Sequence, residues 1–223
     1  MILIPARNEA PRIASVVRGV REVAPDAPVV VVVNGTTDDT AEVAERAGAE
    51  IIHADPGYGT ALLAGYRHAL ERPDTDWVVQ MDADGQHPAQ AIPDLRAALD
   101  VHDVVVGSRF APGGGSPGWQ RRRRWTIAAL GVATRALTGC PVRDVSSGFQ
   151  ALSRPAIEHL NDTFSVDLTD ANVLARLHRA GLAMGEVGVQ MPQRAGGQSM
   201  HGGISSAIYA GKTLLAVIAE ARA

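Results

Sequence analysis

Two aspartates separated by one small residue, Asp82-Ala83-Asp84, follow directly on the apolar run Trp77-Val78-Val79-Gln80-Met81 and precede Gly85-Gln86-His87-Pro88. A short apolar run closed by acids reads as a buried strand with two carboxylates at its carboxyl end. In an open α/β sheet that edge is where ligands bind, and paired hard oxygen ligands suit a divalent cation carrying phosphates. Alone, an Asp-x-Asp pair is also what a solvated turn looks like, because aspartate favours turns for local reasons. Its position after a buried strand favours a metal-assisted nucleotide site.

Arginines supply the second kind of chemistry. Arg121 to Arg124 open a helix, and Arg122 stands four residues before Thr126, so guanidinium and hydroxyl share one helical face. Guanidinium forks match phosphate oxygens bidentately, and that face could hold a phosphate. A run of arginines is equally what a solvated face or a membrane-surface patch presents.

The elements that must position these groups alternate regularly. Met1 to Ile4 reads as a strand, and Ile13, Val16, Val17, Val20 and Val23 then follow helical spacing. Val29 to Val33 is a β-branched run of the kind found in a parallel strand covered on both faces. Thr37-Asp38-Asp39-Thr40 offers caps for a helix through Ala47, which Gly48 ends. Strands at 50–53, 77–81 and 104–106 alternate with helices at 60–70 and 92–99. Such repeated β-α units predict a doubly wound, mostly parallel sheet over the first half.

Beyond it, Gly107 to Gly118 carries Pro112-Gly113-Gly114-Gly115-Ser116-Pro117-Gly118, which reads either as a lid that orders over substrate or as a solvated linker. A basic helix at 121–137, a short strand at 149–152, a helix at 172–179, a strand at 186–191 and a final helix at 204–220 complete the expected order. The last helix is apolar through Ile204, Ile208, Leu214, Leu215, Val217 and Ile218, which suits packing on the domain, a second subunit or a membrane interface. The glycines around Tyr58 lack the spacing of a dinucleotide fingerprint. His87 and His201 flank the proposed sites but read as structural.

The chain has 223 residues, 46% hydrophobic and 20% charged, enough for a full core in one domain. Its net charge of -3 exerts no global pull toward nucleic acid. The single cysteine, Cys140, excludes an internal disulfide and fits a reducing cytoplasm. No signal peptide is expected before the first strand, and no apolar run approaches the roughly 20 residues that span a bilayer.

Six segments, in order and spacing, resemble the family 2 glycosyltransferases of the GT-A fold, and among them the polyprenyl-phosphate (dolichyl-phosphate) sugar synthases. They are Ile4-Pro5-Ala6-Arg7-Asn8-Glu9, Asn34 to Thr40, Asp82 to Pro88, Gly107-Ser108-Arg109-Phe110, Ser147-Gly148-Phe149 and Arg194-Ala195-Gly196-Gly197-Gln198-Ser199. The resemblance implies a single α/β domain of GT-A type, a Rossmann-like, mostly parallel sheet with helices on both faces. Residues 1–110 would form the nucleotide-sugar half, and 111–223 the acceptor half with its C-terminal helix.

It also implies Mg²⁺ or Mn²⁺ as cofactor, held by Asp84 with Gln86 as a further oxygen ligand. Pro5, Ala6, Arg7, Glu9, Asn34, Asp82 and Ala83 would line the nucleotide-sugar, with Asp82 on the nucleoside side. Asn8 also reads as a helix cap. The family usually carries an acid pair where this chain has Val33-Asn34, so UDP, GDP or another base stays open. Arg122, Thr126, Arg194 and Ser199 would hold an acceptor phosphate, and Arg109 would reach the donor diphosphate or the phosphate between.

A phosphate acceptor, with its second pKa near roughly 6, is already an anionic nucleophile and needs no general base. A hydroxyl acceptor on a small molecule, glycan or natural product would need one. Asp170, near Asp167 and before Asn172, is the best candidate base, although it reads first as a helix cap. A nucleotide-sugar-binding module without turnover is the third reading. The expected location is cytoplasmic or peripheral at the inner face of a membrane, and a homo-oligomer is compatible with the sequence.

Overall fold

The computed structural model describes residues 1–166 and 171–192, together with Thr213, Leu215, Val217 and Ile218. Its centre is one seven-stranded sheet in the order β3-β2-β1-β4-β6-β5-β7. The strands are β1 (Ile2–Ala6), β2 (Val29–Asn34), β3 (Glu50–Ala54), β4 (Trp77–Gln80), β5 (Val104–Ser108), β6 (Gln150–Ser153) and β7 (Met184–Gly188). All pairings are parallel except those of β6, which runs antiparallel to both β4 and β5.

Side-chain alternation decides what each strand contributes to the two faces. Ile2, Ile4, Val29, Val31, Val33 and Val105 point into one core, and Leu3, Val30, Val32, Val104 and Val106 into the other. The valine run of β2 is therefore buried on both sides, as a parallel strand should be. Emptying one such slot, for instance by Ile4→Ala, would cost about 2–5 kcal/mol.

Helices cover both faces. α1 (Ala10–Val23), α2 (Thr40–Arg46) and α4 (Ile92–Ala98) supply or border the first core. α3 (Tyr58–Leu70), α6 (Arg154–Thr163) and α7 (Ala171–Arg179) supply the second. α5 (Arg121–Thr138) packs beside α7 and ends on Gly139, whose φ of 73° is the left-handed conformation a helix stop favours. No helix among the described residues is long and apolar enough to cross a membrane.

Three local expectations change. α6 is an element the periodicity at 149–179 does not predict, although Ser153 caps it and Pro155 sits in its first turn. β7 begins at Met184 rather than Glu186, and past its end Gln190 forms an isolated parallel bridge with Gly115. The third concerns the glycine-rich segment, which over 111–116 is fixed by backbone hydrogen bonds rather than running free as a linker. Gly115 N–H donates to Val189 O at 3.1 Å, and Met191 N–H donates to Gly115 O at 2.9 Å. A Cβ at Gly114 would lie 2.3 Å from the Ser108 carbonyl oxygen, and one at Gly188 would lie 2.0 Å from that of Pro112. Glycine serves here for close backbone approach, which holds the segment against β7.

Candidate active site

Strand order reverses between β1 and β4, since β2 and β3 lie to one side of β1 while β6, β5 and β7 lie beyond β4. A crevice outside the carboxyl ends of two such strands is the usual ligand site of an open α/β sheet. β1 delivers Pro5 to Glu9 there, and β4 delivers Asp82 to Asp84.

Around the first aspartate a small network fixes the loop. Tyr58, in the first turn of α3, donates from Oη to Asp82 Oδ1 at 3.3 Å. The Asp82 backbone N–H donates to His87 Nδ1 at 2.9 Å, which leaves the proton of the neutral ring on Nε2, and the buried imidazole stacks on Phe149 at 4.9 Å. His87 thereby braces the loop that carries Asp82. Gly148 completes the enclosure: a Cβ there would meet Tyr58 Oη at 2.9 Å and Asp82 Oδ1 at 3.5 Å. Its carbonyl accepts from Gln80 Nε2 at 3.2 Å, and Gln80 in turn bonds Tyr66. Burial raises the Tyr66 hydroxyl pKa above its ordinary value, so it stays a neutral donor.

Asp84 is buried beyond this network, and its Oδ1 accepts the Gln86 N–H at 2.9 Å across Gly85. Gly85 has a φ of 80°, which the tight Asp-Gly-Gln turn requires of it. Gln86 donates from Nε2 to the Pro192 carbonyl at 3.0 Å, which leaves its amide oxygen as the acceptor atom of that side chain. Among the described residues no three His, Cys, Asp or Glu side chains gather into a metal cage. The donor set of Asp84, Gln86 and neighbouring Asp82 fits a hard divalent cation that takes the rest of its shell from phosphate oxygens.

The β1 loop is shaped by its neighbour rather than by its own helix. Asn8 adopts a φ of 54° and accepts at Oδ1 from the Thr37 N–H at 2.9 Å, so it stitches the two loops together and does not cap α1. The 36–40 turn does that capping instead: Glu9 N–H donates to Thr40 Oγ1 at 2.9 Å and Ala10 N–H to Asp38 Oδ2 at 3.2 Å. Glu9 pairs with Arg12 at 2.9 Å, while Arg7 is exposed. Asn34 is buried and donates to the Ala6 carbonyl at 3.3 Å, tying the ends of β1 and β2. Pro5, Ala6 and Ala83 are buried at the crevice floor.

Arg109, expected to reach a phosphate, is 7% exposed and grips the fully buried Asp144 through Nε at 2.6 Å and a terminal nitrogen at 2.5 Å, with Ser146 Oγ at 2.9 Å. Asp144 also accepts the Arg109 N–H at 2.9 Å, and Glu186 of β7 accepts the N–H groups of Arg143 and Asp144. The pair holds the turn that runs on through Ser147 and Gly148 to Asp82. Asp144 and Glu186 went unnoticed in the sequence; the one available signal was an acid just before Ser146-Ser147-Gly148-Phe149.

Trp119 links this pair to the basic helix. The Arg109 and Arg123 guanidiniums lie over its indole at 4.6 and 3.9 Å. Desolvation, then the charge of Arg109, lowers the Arg123 pKa. Arg122 and Thr126 do share a face of α5, both exposed, but the Thr126 hydroxyl donates to the Arg122 carbonyl at 3.0 Å and must rotate to meet a phosphate. Asn172 is buried in the first turn of α7. Asp167, Asp170, Arg194, Ser199 and His201 lie outside the described residues.

The model of Glycosyl transferase family 2 matches residues 1–160. The chain belongs to glycosyltransferase family 2. This family 2 glycosyltransferase is 32% identical to the undecaprenyl-phosphate mannosyltransferase of Micrococcus luteus over 220 residues, covering 92% of this chain and 88% of that one. It is 30% identical to the polyprenol monophosphomannose synthase of Mycolicibacterium smegmatis, covering 76% and 70%. Among solved structures it resembles glucosyl-3-phosphoglycerate synthase of Mycobacterium tuberculosis in complex with Mg²⁺ and uridine diphosphate. That match has a TM-score of 0.71 and 22% identity, covering 99% of this chain and 78% of the other, and shows the fold.

Proposed function

We propose that this glycosyltransferase moves a hexose from a nucleotide-sugar to a polyprenyl phosphate with inversion at the anomeric carbon, and that it depends on Mg²⁺ or Mn²⁺. The observation that carries the donor half is the carboxylate pair Asp82 and Asp84 at the strand-order reversal, walled by Tyr58 and Gly148. Support for the acceptor comes from relatives that match over most of their length and whose names specify undecaprenyl phosphate and polyprenol. A dolichyl-phosphate hexose transferase of Haloferax volcanii, 29% identical over 99% of this chain and 94% of that one, agrees with them.

In this reading Asp84 and the Gln86 amide oxygen would hold the ion, which when bound would supply positive charge to offset that of the departing diphosphate. Asp82 takes the nucleoside side, with Pro5, Ala6, Arg7, Glu9 and Asn34 around the base and ribose. The acceptor half, residues 111–223, presents Arg122, Thr126, Arg194 and Ser199 to the acceptor phosphate. Its oxygen attacks the anomeric carbon opposite the leaving diphosphate, whose C–O bond breaks as the new one forms. Arg109 acts through Asp144 by holding the turn that leads to Gly148. No side chain need remove a proton, so Asp170→Asn retains most activity.

A thermal-shift panel of nucleotides and nucleotide-sugars with and without Mn²⁺ tests the donor half. A ligand at a hundred times its dissociation constant stabilises by about 2.7 kcal/mol. One diphosphate nucleoside should stabilise the chain only with the ion, and equal stabilisation without the ion contradicts metal dependence. For the acceptor, Asp170→Asn separates the readings: a loss of several orders of magnitude in turnover with the fold intact would point to a hydroxyl acceptor.

A further inference from the structure

Two glutamines occupy positions where the neighbouring strands carry aliphatic side chains. Gln80 of β4 is 3% exposed on the face that holds Leu3, Val78 and Leu152, and its partner across the β4–β6 pairing is Gln150, which is 7% exposed. Opposite residues of an antiparallel pair point to one face, so two amides enter a core that apolar side chains would fill without needing partners. Both amides are committed to the turn that follows Asp144. Gln80 accepts the Tyr66 hydroxyl at Oε1, which leaves Nε2 to donate to the Gly148 carbonyl at 3.2 Å, and Gln150 donates from Nε2 to the Ser147 carbonyl at 2.8 Å. Two successive carbonyls are thus drawn toward the glutamines. In a trans peptide the N–H points opposite to the C=O, so the Gly148 N–H is turned away from the Gln150 amide. Among the described residues that N–H meets no acceptor, and Gly148 is only partly buried, beside Tyr58 and Asp82.

We propose that Gln80 and Gln150 are positioning residues that aim the Gly148 N–H into the crevice, where it and the Asp82 carboxylate together bind a hydroxyl of the nucleotide-sugar. A Cβ on Gly148 would lie 3.5 Å from Asp82 Oδ1, which puts donor and acceptor in one wall of the crevice. A hydroxyl both donates and accepts, so it matches a carboxylate beside an amide N–H, whereas a phosphate oxygen only accepts and would face the Asp82 charge. Buried amides with every partner in place hold a turn rigidly, and that fixes the direction of the N–H before the ligand arrives. The inference rests on the nucleotide-sugar reading of the donor site and makes no use of the acceptor.

The test is nuclear magnetic resonance of the full chain labelled with ¹⁵N-glycine, in which the Gly148 amide is the resonance lost in Gly148→Ala. The probes are GDP-mannose and UDP-glucose, each with Mn²⁺. In the free chain the Gly148 amide should exchange rapidly with water, and the probe that binds should slow that exchange roughly tenfold or more. The matching nucleoside diphosphate and its 2′,3′-dideoxy form locate the hydroxyl. Protection by the diphosphate that the dideoxy form loses marks the ribose, and protection that needs the whole nucleotide-sugar marks the hexose. Gln80→Met with Gln150→Met, close in shape but without amides, should leave the other glycine resonances in place, abolish the protection and weaken binding of the probe roughly tenfold or more. The wild-type measurements need no variant to fold. Protection by the dideoxy diphosphate would mark a phosphate contact and overturn the proposal, as would slow exchange in the free chain or unaltered protection in the methionine variant. Binding of neither probe would overturn the donor reading and this inference with it, whereas binding that leaves Gly148 unprotected overturns the inference alone.

Discussion

Arg109 spans both oxygens of Asp144 at 2.6 and 2.5 Å, across 35 residues of sequence, and neither side chain faces solvent. Because the two charges are desolvated together, removing one leaves the other buried and unpaired. Asp144→Ala should therefore cost about 3–5 kcal/mol, measured by urea denaturation. A loss within about 0.5 kcal/mol, the range of ordinary surface substitutions, would mean that Arg109 is free to serve elsewhere.

The Tyr58 hydroxyl reaches Asp82 from across the crevice. Tyr58→Phe removes the donor and keeps the ring, so stability should hold while kcat/KM for the donor falls by roughly tenfold, the worth of a hydrogen bond to a charged group. Gly148→Ala should lower it further, since the new methyl would press on Tyr58 Oη and Asp82. Steady-state kinetics with varied donor checks both. An unchanged kcat/KM in Tyr58→Phe would remove Tyr58 from the account.

Pinning of the 111–116 segment predicts that it resists limited proteolysis without any ligand. Gly114→Ala, which puts a methyl 2.3 Å from the Ser108 carbonyl oxygen, should destabilise by about 1–3 kcal/mol. Rapid cleavage within the segment in the wild type, suppressed by donor, would restore the lid.

Cys140 is fully buried, and desolvation raises its thiol pKa despite an opposing backbone hydrogen bond at Val142. The reactive thiolate is thus scarce and shielded at neutral pH. Alkylation at pH 8 should run at least ~100-fold slower in the native chain than in urea, followed by mass spectrometry.

The strands of the first half were legible because short unbroken apolar runs, above all the valines of β2, set between helical spacings leave little choice of element. The carboxylates were legible because they follow a strand directly. What stayed hidden depends on pairings that no local pattern marks. Asn8 reads as a cap and in fact binds Thr37, 29 residues away. Arg109 reads as a phosphate ligand, and only the return of the chain through Asp144 shows its partner. The glycines of 113–115 read as freedom, yet only Gly113, with a φ of 82° and open space around it, uses that freedom, whereas Gly114 and Gly115 mark close approach to Ser108 and Gln190. α6 is marked only by Ser153 and Pro155, because it starts directly where β6 ends and no loop separates the two.

The central claim is metal-assisted transfer of a sugar onto a lipid phosphate, with Asp84 as ion ligand. The most direct test incubates the purified chain with radiolabelled nucleotide-sugars, Mn²⁺ and a polyprenyl phosphate, and counts label in the organic extract. One donor should give acid-labile labelled lipid, EDTA should abolish it, and Asp84→Ala should reduce it by roughly 100-fold or more, the scale of losing a transition-state charge stabiliser. Undiminished incorporation by Asp84→Ala, or no labelled lipid with any donor, would contradict the account.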